Sequence, residues 1–282
     1  MPSPSAVFHP IAQTPSALEH FDAVCARLNG RRPALFLDYD GTLTPIVERP
    51  ELAVLSDAAR ATVSTLAQAL PVAVISGRDR PDVEHLVGLD TLIYAGSHGF
   101  DVAVPGQGPL DHGAGDFTAL LDGVEAALHV RLDGIPGALI ERKKFSIAAH
   151  YRQVADGDYP AFRAALDDVM TATTGIKEKP GKKVFEFQPD VDWDKGKCVL
   201  FLLDALNLND GAHVPMFFGD DVTDEDAFLA LQNSGVCVVV AEDDDPGRIT
   251  AAHFRVADPG ELVHLLRRLT DNQTQAAAHP SG

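Results

Sequence analysis

The sequence predicts an α/β protein: a Rossmann-like, doubly wound parallel sheet interrupted by a smaller inserted α+β domain. Three observations carry this prediction. Short apolar runs (ALFL at 34–37, PVAVI at 71–75, LIYAG at 92–96, VPMFF at 214–218 and VCVVV at 236–240) alternate with segments of helical periodicity, as in βαβ units. Acids and hydroxyls follow several of these runs directly, and ligands of open α/β sheets sit at the carboxyl ends of strands. Between residues 100 and 189 the alternation lapses and strands succeed one another without an intervening helix, the pattern of a mixed or antiparallel sheet.

In chain order, residues 1–15 carry Pro and Ser and read as a flexible tail, and Ser16 to Leu28 reads as an amphipathic helix. The strand at 34–37 ends in Asp38 and Asp40, after which Gly41 permits a sharp turn and Thr42 offers a hydroxyl. Ser56 caps a helix whose apolar residues Ala59, Val63, Leu66 and Leu70 share one face. PVAVISGR is a second strand and turn, Arg80 to Val87 a helix, and LIYAG a third strand. The insert then reads as strand (FDVAV), Gly-rich loop, helix (Phe117 to His129), two strands (ALIER, FSIAAHYR), helix (Pro160 to Thr173) and strand (KVFEF). Along FSIAAH, Phe145, Ile147 and Ala149 fall on one face and Ser146, Ala148 and His150 on the other. Alternation resumes with a helix at 195–206, VPMFFGDD, a helix at 224–232, VCVVV, HFRV and a helix at 260–269. The expected division is therefore 16–99 with 190–270 as one discontinuous core, 100–189 as the insert, and 271–282 as a second flexible tail.

Composition narrows the function. The chain has 282 residues, 45% of them hydrophobic, enough for a substantial core. A net charge of −18 argues against broad contact with nucleic acid or an anionic membrane, so an anionic substrate must be met by local cations. Cys25, Cys198 and Cys237 lie scattered in apolar surroundings and are expected as reduced thiols. The opening residues lack the basic and apolar regions of a secretory leader, and no apolar run approaches a membrane span. A cytoplasmic monomer acting on a small molecule is expected.

Asp38 and Asp40 are the first candidates for chemistry, because two acids at the end of a buried strand are costly unless they hold a metal or a substrate. A turn also uses Asp and Gly, but an EF-hand loop is excluded by the spacing. Ser76, with Gly77 and Arg78, ends the second strand where a hydroxyl and amides can receive an anion; a plain Ser-Gly turn is the alternative, and Arg78 can pair with a phosphate or with an acid. Asp194 reads as a helix N-cap that places Lys195 and Lys197 in the first turn, where a cation opposes the helix dipole by roughly 0.3–1 kcal/mol unless an anion binds there. In GDDVTDED, Thr223 and Asp226 form a candidate capping box, whereas Asp220 and Asp221 lie outside it, at a strand end suited to a metal.

DYDGT resembles motif I of the haloacid dehalogenase superfamily of phosphotransferases, and the Ser76, Lys195 and GDDVTDED segments follow in the order of that superfamily's remaining motifs. GDDxTDE is narrower and is similar to the trehalose-6-phosphate phosphatase family. ERKKFSIAAHYR and GKKVFEF match that family's cap patterns, so the resemblance covers about Leu35 to Leu266. It implies a Mg2+-dependent phosphatase with a haloacid dehalogenase-like core and a cap, releasing trehalose and phosphate from trehalose 6-phosphate, the last step of trehalose biosynthesis. By the resemblance, Asp38 is the nucleophile and Asp40 the general acid and base, while Ser76 and Lys195 hold phosphoryl oxygens. Mg2+ lies on Asp38, the Asp40 carbonyl and Asp220, with Asp221 and Asp224 in support. Glu141, Lys143, Arg152, Lys182 and Glu186, on the matched cap patterns, read the sugar; Thr42, Gly77 and Arg78 are expected beside the substrate from their place at the strand ends, and His98, in GSHGF, is either a turn residue or a ligand contact. The family pattern favours Lys195 over Lys197 and Lys182 over Lys183. Two other readings remain: a phosphatase for sucrose phosphate or a hexose phosphate, and a phosphosugar-binding regulator without turnover.

Overall fold

Residues 7–47, 49–110, 115–181, 183–242 and 247–278 are described by the computed structural model. The chain divides into two units, one of Met1–Leu110 with Asp194–Gly282 and one of Asp111–Trp193. The first unit begins with β1 (His9–Pro10), α1 (Phe21–Leu28), β2 (Arg32–Leu37), α2 (Asp57–Ala67), β3 (Val72–Ile75), α3 (Arg80–Val87), β4 (Ile93–Gly96), β5 (Asp101–Val104) and β6 (Gly108–Leu110). The second contains α4 (Thr118–Leu132), β7 (Leu139–Arg142), β8 (Ile147–His150), α5 (Tyr159–Ala172), β9 (Ile176–Gly181) and β10 (Val184–Pro189). The chain returns to the first unit with α6 (Lys195–Ala205), β11 (His213–Gly219), α7 (Glu225–Leu231), β12 (Val236–Val240), β13 (Ile249–Thr250), β14 (Phe254–Val256) and α8 (Pro259–Ala278).

The first unit holds an eight-stranded sheet in the order β14-β12-β11-β2-β3-β4-β5-β6. Strands β14 to β4 pair in parallel, and β2 is buried from Pro33 to Leu37 as expected of an interior strand covered on both sides. Alternate residues serve opposite faces. Leu35 and Leu37 join Val63, Leu66, Val83, Leu262 and Leu266 in one apolar cluster, while Phe217 on the other face meets Phe228 of α7 edge-on at 5.8 Å. The chain leaves β2 towards β3 on one side and returns through β11 on the other, so the strand order reverses at β2, where such sheets bind ligands.

Three boundaries differ from the sequence expectation. FDVAV, expected in the insert, is β5 and pairs antiparallel with β4, so the units divide at Leu110 and Trp193 rather than at 99 and 189. The cause is a tight reversal in which Ser97, His98 and Gly99 all have positive φ, of 51°, 56° and 95°. Locally, an antiparallel strand that finishes the core sheet looks the same as the first strand of an insert. Secondly, the segment expected as an N-terminal tail pairs β1 with β13 and buries Ile11 and Thr14; α1 starts only at Phe21, because Ser16 bridges to Arg255 instead. Thirdly, α8 continues to Ala278, through Gln- and Ala-bearing sequence with good helix propensity and no Gly or Pro to stop it. Residues 1–6 and 279–282 lie outside the described residues.

The second unit is a four-stranded sheet ordered β7-β8-β10-β9, antiparallel throughout. Ile147, Ala149 and Phe187 on one face pack with Leu121, Leu128, Phe162 and Leu166 of the two helices. Strand β9 (IKEKPG) is missed by sequence reading because its Lys residues and Pro are those an edge strand tolerates.

Candidate active site

Parallel register brings the strand ends of the first unit to one edge: Leu37 lies beside Val74 and Phe218, and Ile75 beside Ala95. Asp38, Ser76 and Asp220 therefore emerge side by side. The Asp38 amide donates to the Phe218 carbonyl at 2.9 Å, fixing the turn out of β2. Asp194 caps α6 by accepting the Lys197 amide at 2.8 Å, as expected from the sequence, and so sets Lys195 at the helix start. Lys195, only 3% exposed, donates to Asp38 Oδ1 at 2.7 Å and to Asp224 Oδ1 at 2.6 Å.

Asp224 organises the neighbouring loop. Its Oδ2 accepts the amides of Asp220 at 2.9 Å and Asp221 at 3.0 Å, and Thr42 donates its hydroxyl to Asp220 Oδ1 at 3.0 Å. Glycines permit this closeness: a Cβ on Gly41 would collide with the Asp220 carboxylate, and one on Gly219 with that of Asp224. The capping box expected of Thr223 and Asp226 does not form; instead Thr223 donates its amide and hydroxyl to Asp221 Oδ1, at 2.6 and 2.7 Å. Local helix-start chemistry yields here to a long-range pairing with Lys195.

Burial drives the electrostatics. It pushes the Asp38 carboxyl well above its ordinary value, with Lys195 opposing and Asp224 adding to the rise. Asp220 is raised to about 6, first by burial and then by repulsion from Asp224. Lys195 loses affinity for its proton through burial but gains more from Asp224 and Asp38, so its ammonium form is favoured. Asp221 is raised by burial, yet the pull of Lys195 and the Thr223 hydrogen bonds lower it overall.

Three carboxylates thus face one ammonium. Ligand oxygens of Asp38, Asp220 and Asp224 lie within 4.8 Å of one another, where each like-charge pair costs about 3 kcal/mol at an effective dielectric near 20. Among the described residues Asp38 Oδ2 and Asp220 Oδ2 accept no hydrogen bond, and the Asp40 carbonyl accepts none from the backbone. Uncommitted hard oxygens around excess negative charge suit a small divalent cation such as Mg2+. Both Asp224 oxygens already have partners, and Asp221 Oδ1 is turned to Thr223. A cavity of about 520 Å³ beside Gly41, Ile46, Asp220 and Arg248 opens next to the cluster.

Ser76 is buried and accepts the Arg78 amide at 3.1 Å, which leaves its hydroxyl proton to donate. The His98 ring lies over Gly77, where any side chain would collide with it, and the His98 amide donates to the Ser76 carbonyl at 2.8 Å. Arg78, expected among the substrate contacts, is turned elsewhere: Nε and Nη2 donate to the two Asp40 oxygens, both at 2.7 Å, and Nη1 to Asp82 at 2.8 Å. Sequence reasoning also missed Arg248, whose guanidinium donates to the Asp220 carbonyl; a single Arg between strands carries no signal of that.

In the second unit Glu141 and Glu186 both pair with Ala148, so they lie on one face of the sheet. Glu186 Oε1 accepts from Lys143 at 3.2 Å and from the Ser146 hydroxyl at 2.6 Å, and its Oε2 accepts from Gln188 at 3.2 Å. Glu141 Oε2 lies 2.9 Å from His150 Nε2. Arg152 sits in the turn after β8, exposed. Lys182 lies outside the described residues.

The sequence model of the trehalose-phosphatase family matches residues 36–260. The chain belongs to that family. A probable trehalose-phosphate phosphatase of Oryza sativa subsp. japonica is 38% identical over 265 residues, covering 93% of this chain and 72% of the rice protein. An uncharacterized glycosyl hydrolase of Mycobacterium tuberculosis is 41% identical over 275 residues, which are 95% of this chain and 20% of that protein; this chain spans about a fifth of it. Among solved structures, a trehalose-6-phosphate phosphatase related protein superposes with a TM-score of 0.71 at 25% identity, over 86% of this chain and 99% of its own. The site residues Asp38, Lys195, Asp220 and Asp224 fall inside the trehalose-phosphatase match, as does all of the second unit's polar face.

Proposed function

We propose that the protein is a Mg2+-dependent phosphatase that converts trehalose 6-phosphate to trehalose and phosphate through an aspartyl-phosphate intermediate. The observation that carries the reading is the buried Lys195 bridging Asp38 and Asp224 beside Asp220. Burying three acids with one base is costly for a fold and useful for binding a cation and a phosphate.

In this mechanism an Asp38 carboxylate oxygen attacks phosphorus and the bond to the sugar oxygen breaks, while Asp40 gives its proton to that oxygen. Asp40 then takes a proton from water as the water oxygen attacks phosphorus, releasing Asp38 and phosphate. Lys195 and the Ser76 hydroxyl stabilise the remaining phosphoryl oxygens, donors already fixed before charge moves. Asp224 acts through Lys195 and the Asp220–Asp221 backbone, keeping both in place. Asp38, Asp220 and the Asp40 carbonyl would hold Mg2+, which when bound neutralises charge on the phosphoryl group.

Glu141, Lys143, Arg152, Lys182 and Glu186 are proposed to read the sugar, and the Lys143–Glu186 pairing supplies both a donor and an acceptor for hydroxyls. Three unpaired cysteines accord with a cytoplasmic setting. The deciding experiment is phosphate release from a panel of sugar phosphates with and without Mg2+. Preference for sucrose phosphate or a hexose phosphate would overturn the substrate, and absence of turnover on every member would favour a phosphosugar-binding regulator.

A further inference from the structure

Arg78 has a partner set that a phosphate ligand would not have. Its Nε–H and one Nη2–H grip the two oxygens of Asp40, the other Nη2–H reaches the Pro50 carbonyl at 2.8 Å, and Nη1 reaches Asp82. Four of the five guanidinium N–H groups are thus committed inside the protein. The guanidinium Cζ also lies over the Tyr39 ring, 5.6 Å from its centroid, and Tyr39 is fixed by donating its hydroxyl to the Ala53 carbonyl at 2.6 Å.

Exposure separates the two partners of the ion pair. The Arg78 side chain is 11% exposed, whereas that of Asp40 is 43% exposed. A carboxylate that open to water samples several rotamers unless something holds it, and the planar fork of Arg matches a carboxylate in one orientation only. Arg78 leads directly out of the Ser76–Gly77 turn, to which its own amide is tied. It therefore couples the position of Asp40 to the turn that carries the Ser76 hydroxyl.

We infer that Arg78 is a positioning residue: it orients the Asp40 carboxylate for proton transfer to and from the departing oxygen and does not bind the phosphoryl group. This rests on the acid–base role given above to Asp40. Misplacing a catalytic group by about 1 Å can cost around a hundredfold, but only in steps that use the group. Departure of 4-nitrophenolate needs little protonation and departure of phenolate needs much. The ratio kcat/KM covers the reaction up to release of the alcohol, so it isolates that proton transfer.

The test measures kcat/KM on phenyl phosphate and 4-nitrophenyl phosphate with Mg2+ for wild type, Arg78→Gln, Arg78→Lys, Asp40→Asn and the Arg78→Gln/Asp40→Asn double variant. Melting temperatures and inhibition by inorganic phosphate are recorded alongside. Arg78→Gln is expected to lose about thirtyfold on phenyl phosphate and about threefold on 4-nitrophenyl phosphate, a partial loss of the ~10²–10⁴-fold that general acid catalysis supplies, since Asp40 itself is kept. Arg78→Lys, which keeps the charge without the fork, should lose nearly as much, and Arg78→Gln should add less than about twofold to the loss of Asp40→Asn if the two act as one unit. Phosphate inhibition should be unchanged. Equal losses on both esters, additive losses in the double variant, weakened phosphate inhibition, or full rescue by Lys would each overturn the inference. An unimpaired Arg78→Gln beside an impaired Asp40→Asn overturns the inference alone; an unimpaired Asp40→Asn overturns the acid–base reading and the inference with it.

Discussion

Replacing Asp220 by Asn should stabilise the metal-free protein at neutral pH while removing its response to Mg2+. Burial and the neighbouring Asp224 raise the Asp220 carboxyl to about 6 from 3.8. At 1.36 kcal/mol per pKa unit, holding this group ionised in the fold costs ~3 kcal/mol. The sign follows from linkage: the folded state binds this proton more tightly than the unfolded chain. The group's contribution is therefore most favourable below the unfolded value near 4 and is lost as pH rises through about 6. Asn keeps the size of the side chain and an oxygen for the Thr42 hydroxyl, but carries no charge for Asp38 and Asp224 to repel.

Calorimetry at pH 7.5 and pH 5, with chelator or with Mg2+, reads the result directly. For a ligand at a hundred times its dissociation constant the stabilisation is ~2.7 kcal/mol, and each kcal/mol shifts the midpoint of a unit this size by about 2–4 °C. Wild type should gain about 5–10 °C from Mg2+ at pH 7.5 and little at pH 5, where a proton occupies the same oxygens. In chelator at pH 7.5, Asp220→Asn should melt above wild type, and Mg2+ should move it by less than about 2 °C. A variant that melts lower than wild type in chelator, or that responds to Mg2+ as wild type does, would refute the view that uncompensated charge on Asp220 defines the cation site.

Asp38→Asn should abolish turnover of every phosphate ester while leaving the circular dichroism spectrum native, since it removes the proposed nucleophile and keeps its shape; turnover by a well-folded variant would sink the covalent mechanism. Lys195→Ala leaves Asp38 and Asp224 buried without their common cation, so denaturant titration in chelator should show a loss of about 3–5 kcal/mol, and a change below about 1 kcal/mol would mean that the pair is not desolvated as its burial indicates. Lys143→Ala or Glu186→Ala should lower kcat/KM for trehalose 6-phosphate by at least about tenfold, or ~1.4 kcal/mol, and that for an aryl phosphate much less. Equal losses on the two substrates would assign these residues a structural role.

What could be read from the sequence and what could not separate along a physical line. ALFL followed by Asp38, VAVI followed by Ser76 and PMFFG followed by Asp220 announce buried strands with polar ends, because interior parallel strands tolerate little but apolar residues along their length. Parallel pairing then aligns those ends without further information, and the same local logic correctly places the Ser56 and Asp194 caps. It fails where one residue type has two uses. Asp224 at the start of a helix is an ordinary first-turn acid by local rules, yet its oxygens are taken by a lysine 29 residues away and two loop amides. Arg78 beside a Ser-Gly turn suits a phosphate or an acid equally by local rules, and only the fold selects Asp40, 38 residues back. FDVAV is a strand under any reading, and only the left-handed reversal at Ser97 and His98 decides which sheet receives it. In each case the residue's identity was legible and its partner was not, since the partner is chosen by the tertiary fold. The ordinary-looking helix start at Asp224 is thus the anchor for Lys195, and through it for Asp38, so a change at Asp224 should reach the proposed nucleophile although nothing in the local sequence links the two.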